Sequence, residues 1–202
     1  MKQIIKIGSA ILLCFSLMTG CAMHQVQAPT KATLTSVATQ KKLKALNKFA
    51  ATGKVGFSDG ERGGNATLRW EQEGNDYQLR LYGPLGSGSI KIVGQAGSVY
   101  LVQSNGQTVT AKTPEALVQR ELGWTIPVSG LRYWLRGIPT PGTPSKMKYN
   151  ENGELESLEQ QGWTVYYQSY QDIQGLRLPY KLLLQNGPIR LKFIFHEWQF
   201  LY

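Results

Sequence analysis

Histidine and cysteine are almost missing from this sequence, with two of each in 202 residues. Zinc sites need several such ligands at set spacings, and His24, His196, Cys14 and Cys21 offer no such set. No Gly-x-x-x-x-Gly-Lys-Ser/Thr phosphate loop occurs. The serines of Gly86-Ser87-Gly88-Ser89 do not fit the Gly-x-Ser-x-Gly turn of a hydrolase nucleophile. Glu151, Glu154, Glu156 and Glu159 surround a hairpin signal and read as solvated hairpin positions rather than as a glycosidase pair. Enzymes need a positioned acid, base, nucleophile or metal, and the chain assembles none. We therefore expect no catalysis, no metal, no cofactor and no nucleotide-driven step.

Acidic side chains are also few, 13 against 22 Lys and Arg, for a net charge of +9. A run long enough to span a bilayer is lacking as well. Ile7 to Met18 is apolar but short, where a spanning helix needs about 20 residues. With Lys2 and Lys6 ahead of it, this run reads as the core of an export signal over residues 1–20. It ends in Leu17-Met18-Thr19-Gly20-Cys21, which is similar to a bacterial lipobox. Cys21 is then the lipid-attachment site, and several acyl chains on one residue give a stable anchor. Cys14 leaves with the signal, so no internal disulfide is possible. Loss of Lys2 and Lys6 leaves 20 of the 22 basic side chains against 13 acidic ones, a net charge of +7. That balance suits anionic lipid head groups or an acidic protein partner. Export argues against nucleic acid.

Residues 21–35 read as a flexible tether rich in Ala, Thr and Gln, and residues 36–202 as one folded domain. A helix is predicted over Ser36 to Phe49, with Leu43, Leu46 and Ala50 at helical spacing. Period-2 alternation dominates the rest and signals strands with one buried face. Ala66, Leu68 and Trp70 share a face, as do Tyr77, Leu79 and Leu81. Leu176, Leu178, Tyr180, Leu182 and Leu184 repeat the pattern, and so do Ile189, Leu191, Phe193 and Phe195. His196 falls on the opposite, outer face. Thr113, Pro114 and Gly123 bracket one short helix as N-cap, first turn and terminator, and Val128 to Arg136 with Gly137 forms another. The fold class is mainly β with short helices: ten or eleven antiparallel strands in one large curved sheet. About three helices are too few to fill such a sheet, so an apolar cavity is plausible. A closed barrel or a two-sheet sandwich would bury the same faces.

One loop stands out. Gly83-Pro84-Leu85-Gly86-Ser87-Gly88 joins two alternating strands, and its Pro and Gly residues suit a tight turn. Leu85 at the tip either folds back onto the sheet or projects as an apolar probe.

Three stretches together carry a family resemblance. They are Tyr82-Gly83-Pro84-Leu85-Gly86-Ser87, Leu68-Arg69-Trp70-Glu71-Gln72, and the run from Pro127 to Pro139 that contains Leu131-Arg132-Tyr133-Trp134-Leu135-Arg136. With the lipobox ahead of them, the chain resembles the LolB family, the outer-membrane lipoprotein receptors of Gram-negative bacteria. The resemblance implies an unclosed antiparallel β-barrel of about eleven strands with a helical lid over a hydrophobic cavity. It implies a monomer that accepts lipoproteins from the periplasmic carrier LolA. It further implies insertion of that cargo into the inner leaflet of the outer membrane, without ATP. Partners would be LolA, the acyl chains of the cargo and outer-membrane phospholipid. Leu85, flanked by Pro84 and Gly86, matches the family's exposed leucine. Leu68, Trp70, Leu79, Leu81, Leu131, Trp134 and Leu135 would line the cavity, although each also suits plain core. The Gly-rich stretch from Gly53 to Asn65 and Met18 in the lipobox depart from the family pattern. A related half-barrel carrier or stress sensor is the alternative, but a soluble carrier would lack Cys21 and a sensor would need a second domain. A purely structural envelope lipoprotein is a further one, and it would bind no acylated ligand.

Overall fold

The structure, a computed structural model, describes residues 31–84, 88–95, 97–123 and 125–201, with the side chains of 31–36 and 122 excepted. Helix α1 (Lys31–Ala45) precedes six strands: β1 (Lys48–Ser58), β2 (Gly63–Glu73), β3 (Asp76–Tyr82), β4 (Ser89–Gln95), β5 (Ser98–Gln103) and β6 (Thr108–Ala111). Two helices follow, α2 (Pro114–Leu122) and α3 (Val128–Trp134). The chain then closes with β7 (Ser145–Tyr149), β8 (Leu155–Gln160), β9 (Trp163–Ile173), β10 (Leu176–Asn186) and β11 (Ile189–Phe200).

All the strands belong to one 11-stranded sheet in the order β6-β5-β4-β3-β2-β1-β11-β10-β9-β8-β7. Every neighbouring pair is antiparallel. The sheet is two meanders joined where the first and last strands meet. Its edges, β6 and β7, do not pair with each other, so the barrel is unclosed. This selects the open sheet over the closed barrel and the sandwich. The connection from β6 to β7 must carry the chain from one edge to the other, and it contains α2 and α3. That route lays both helices over the concave face, where they cover apolar side chains that the sheet cannot bury by itself.

Glycine is required where β1 bends. Thr52 pairs with Glu197 and Gly53 with Phe195, leaving His196 as a bulge in β11. A Cβ on Gly53 would lie 2.4 Å from the Ile194 carbonyl oxygen. Only glycine tolerates that approach. The bulge also resets the alternation, so Phe195 and Trp198 are both buried although three residues apart.

Three expectations need correction. Helix α1 runs from Lys31 to Ala45 rather than from Ser36 to Phe49, so it reaches back into the stretch read as tether. Phe49 and Ala50 belong to β1, paired with Phe200 and Gln199. Helical spacing could not reveal this, because Ala50 and its neighbours are buried within a central strand. Tyr180 is exposed rather than inward, because the register between β10 and β9 shifts between Pro179 and Lys181. Strand β7 lies outside the strands expected from the sequence: it is only Ser145–Tyr149, and its Met147, alternating with Lys146 and Lys148, is exposed and buries no apolar face. Its sequence, with Lys146 and Lys148, is that of an edge strand protected by charge.

Candidate functional site

The concave face holds a cavity of about 530 Å³, within the volume range of ligand pockets. Its floor is laid by inward side chains of consecutive strands: Val55 and Phe57 of β1, Ala66, Leu68 and Trp70 of β2, Leu79 and Leu81 of β3, and Ile90 and Ile92 of β4. Leu101 of β5 and Leu191 and Phe193 of β11 extend it. Val118 of α2 and Val128 and Leu131 of α3 form the cover. A few polar residues, Asn65, Ser89, Gln103, Ser104 and Glu121, also line the cavity. Glu121 contacts the space, accepts from Arg120 Nε at 2.8 Å and lies 3.4 Å from Gln103 Nε2. The wall is otherwise mainly aliphatic and aromatic, which makes it a surface for hydrocarbon and not for ions.

Helix α2 is held over this space by the cap read from the sequence. The Thr113 hydroxyl accepts from the Ala116 amide at 3.2 Å, Pro114 opens the helix, and Gly123 ends it at φ 74°. In helix α3, Gly130 leaves room for the Trp134 ring. A Cβ there would meet the Trp134 ring at 2.9 Å.

Leu68, Trp70, Leu79, Leu81 and Leu131 contact the cavity. Trp134 and Leu135 do not; they lie in solid core on the other side of α3, 0% and 1% exposed. The Trp134 indole donates to Gln160 Oε1 at 2.9 Å, and its carbonyl accepts from the Tyr167 hydroxyl at 2.9 Å. Gln160 is itself buried and donates to the carbonyls of Thr140 and Thr143. The half of the sheet from β7 to β10 is thus filled by α3, Ile138, Trp163 and Tyr167, and the half from β1 to β5 keeps the space. Alternation alone could have pointed to Ile90, Ile92, Leu101 and Phe193, which share the inward parity of the residues named from the sequence.

The described ends of the loop after β3 border the cavity. The loop's stem is closed by the Gly83 amide donating to the Gly88 carbonyl at 3.1 Å, and both glycines line the cavity. Pro84 is exposed beside them. Leu85, Gly86 and Cys21 lie outside the described residues.

Other candidates disperse. Glu154, Glu156 and Glu159 pair separately with Arg177 at 2.7 Å, Lys148 at 2.9 Å and Lys146 at 3.3 Å, so they form no carboxylate pair. His196 is exposed. Among the described residues, no group of three or more His, Cys, Asp or Glu side chains is placed to hold a metal.

The burial of Arg136 and of the Tyr77 hydroxyl escaped the sequence reading. Arg136 is 5% exposed and has no carboxylate partner among the described residues. It donates to the carbonyls of Leu43 and Leu46 at the end of α1 and from Nε to the Arg132 carbonyl at 2.9 Å. Its guanidinium also lies 5.4 Å from the Phe49 ring centroid. Burial draws this guanidinium down to about 10, which leaves it charged at neutral pH. Tyr77 stacks on Trp70 with ring centroids 5.5 Å apart, and its hydroxyl is buried without a partner among the described residues. Burial, helped by the Glu115 charge, pushes it up to about 12. Neither group is poised for proton transfer near neutral pH.

Residues 47–198 match the protein family described as "Outer membrane lipoprotein LolB". The chain belongs to the LolB family. It is 36% identical over 191 residues to an outer-membrane lipoprotein LolB of Francisella tularensis subsp. tularensis (strain FSC 198), covering 94% of this chain and 92% of the relative. A LolB of Cellvibrio japonicus (strain Ueda107) is 35% identical over 195 residues, covering 94% of each. Among solved structures, a LolA superfamily protein from Nitrosomonas europaea superposes with a TM-score of 0.53 at 8% identity, covering 83% of this chain and 94% of that one. That likeness shows a shared fold.

The LolB match runs from the start of β1 into β11 and takes in every cavity-lining residue named above. The chain is therefore one of the outer-membrane lipoprotein chaperones and not an enzyme. Its apolar space suits such a role.

Proposed function

We propose that this LolB-family chain takes lipoproteins from the periplasmic carrier LolA and inserts them into the inner leaflet of the outer membrane, anchored there through Cys21. The observation that carries the reading is the 530 Å³ apolar cavity with the stem of the Leu85 loop at its edge. Each methylene removed from water is worth about 0.8 kcal/mol, so a lipoprotein's acyl chains cannot cross the periplasm uncovered. A cavity that buries part of a chain accepts it downhill from a carrier, and a bilayer that buries all of it is a deeper sink. No ATP is needed for either step. Pro84, Leu85 and Gly86 would form the apolar tip that opens the way into the bilayer. Monomeric action suffices, because one sheet supplies the whole cavity.

Mixing the purified chain with carrier-bound lipoprotein tests the proposal. Lipoprotein should move from the carrier to this chain without nucleotide, and then to added vesicles. Lipoprotein that stays on the carrier throughout would refute it.

A further inference from the structure

The convex face of the sheet carries a feature that cargo binding does not use. Leu68 and Trp70, Leu79 and Leu81, and Ile90 and Ile92 all face the cavity. The residues between them, Arg69, Arg80 and Lys91, therefore point to the opposite face. The register sets these three side by side: Arg69 pairs with Arg80, and Arg80 with Lys91. Like charges directly opposite one another destabilise a sheet. Only Arg69 is relieved, by Glu71 at 2.7 Å. Neither Arg80 nor Lys91 reaches a carboxylate among the described residues. Lys54 adds a fourth cation on the same face, exposed and joined through Thr67 to the row of Tyr82. Tyr82 itself is 38% exposed.

The position of this row matters as much as its charge. Tyr82 pairs with Ser89 at the loop stem, and the Arg80–Lys91 pair lies two residues behind. At about 3.3 Å per residue the row sits roughly 7 Å from the stem, within reach of long side chains that extend toward an interface. A loop tip lodged in a bilayer would bring Tyr82 and Lys54 to head-group depth, with Arg80 and Lys91 close behind them. Aromatic side chains beside clustered cations are the composition of a membrane-interface contact.

We propose that Arg80, Lys91, Lys54 and Arg69 form an anionic-phospholipid docking surface that orients the cavity mouth toward the membrane. It rests on the reading of the chain as a membrane-delivering receptor, but it is a separate property of the cargo-free protein. The surface is independent of the cavity, since the two use opposite faces of the same strands.

The test uses the chain carrying Cys21→Ala and lacking residues 1–20, none of which belongs to a described element, so that no acyl anchor masks a weaker contact. Cargo-free protein is sedimented with vesicles of phosphatidylcholine alone and of phosphatidylcholine containing phosphatidylglycerol. Binding should be stronger on the anionic vesicles and should weaken with salt. Arg80→Glu with Lys91→Glu should lower anionic-vesicle binding by about tenfold or more. Lys41→Glu with Lys44→Glu changes net charge equally on α1 and should leave most of it. The milder Arg80→Gln with Lys91→Gln pair guards against misfolding, and uptake of a fluorescent acyl probe should be unchanged in each variant. Equal binding to both vesicle types, or equal loss in the strand and α1 variants, would overturn the proposal. So would unaltered vesicle binding combined with impaired acceptance from the carrier, which would assign the patch to an acidic protein surface. Normal vesicle docking without cargo acceptance would instead sink the receptor reading and leave this surface standing.

Discussion

Leu85, Tyr77 and Trp134 show how unequally a single side chain reveals its purpose. Leu85 sits in a loop whose Gly83–Gly88 stem is closed by a backbone hydrogen bond, so its identity is not needed to hold the strands together. Leu85→Glu should leave thermal unfolding and acyl-probe uptake unchanged but should impair delivery of cargo to vesicles. Normal delivery in a purified transfer assay would show that the loop has no part in insertion. Tyr77 makes the opposite case. Its ring packs against Trp70 and over Gly94, where a Cβ would come within 2.2 Å of it, yet its hydroxyl is buried without a partner among the described residues. An unpaired buried hydroxyl costs about 1 to 3 kcal/mol. Tyr77→Phe should therefore raise stability by about 1 kcal/mol in denaturant unfolding, and a loss would point to a hydrogen bond formed in solution. The inward parity of Tyr77 was readable from its strand, but the hydroxyl's isolation was not, because it depends on what α2 and α3 bring above it. Trp134 belongs with Tyr77. Its place on the apolar stripe of α3 was plain, whereas its burial against Gln160 instead of the cavity depends on β8, some 26 residues away in sequence.

Among the elements, α1 depends most on a distant residue. It is not part of the sheet, and it ends in carbonyls that need donors. Arg136, just past the end of α3, supplies them from about 90 residues along the chain. Leu43, 2% exposed, adds an apolar contact. Arg136→Met keeps much of the side-chain volume but removes all of those donors. It should cost about 1 to 3 kcal/mol and speed hydrogen exchange in the last turn of α1, while the amides of β1 and β11 remain protected. Exchange that accelerates equally everywhere would mean that Arg136 supports the whole core instead. Helix α2 was fully legible, since Thr113, Pro114 and Gly123 act locally through their own backbone geometry. The end of α1 was not, because its cap comes from another element. Strand β7 escaped for a different reason. Its five residues offer only Met147 and Tyr149 as apolar alternates, and neither is fully buried at this edge of the sheet.

For the molecule as a whole, the decisive asymmetry is that one half of the sheet is filled and the other is hollow. Ala66 is small and lines the hollow half. Ala66→Trp should project a large ring into the space without displacing packed neighbours. The fold should survive, as judged by near-ultraviolet circular dichroism, but binding of a fluorescent acyl probe should be abolished. Undiminished probe binding would place the lipid site elsewhere.

Most strand faces away from the bulges, the α2 cap and the mainly β class were determined by the sequence itself, because periodicity and capping depend on residues within a few positions of one another. The lipobox-like segment was equally readable. What the tertiary structure decided was longer-ranged. It placed β1 beside β11, left the β6 and β7 edges unpaired, and sent α3 to fill one half of the sheet, so that Leu68, Trp70, Leu79, Leu81 and Leu131 face space while Trp134 and Leu135 are core. The same register aligned Arg69, Arg80 and Lys91 into one row on the convex face. Alternation says which face a side chain takes, but only strand pairing says which side chains meet there.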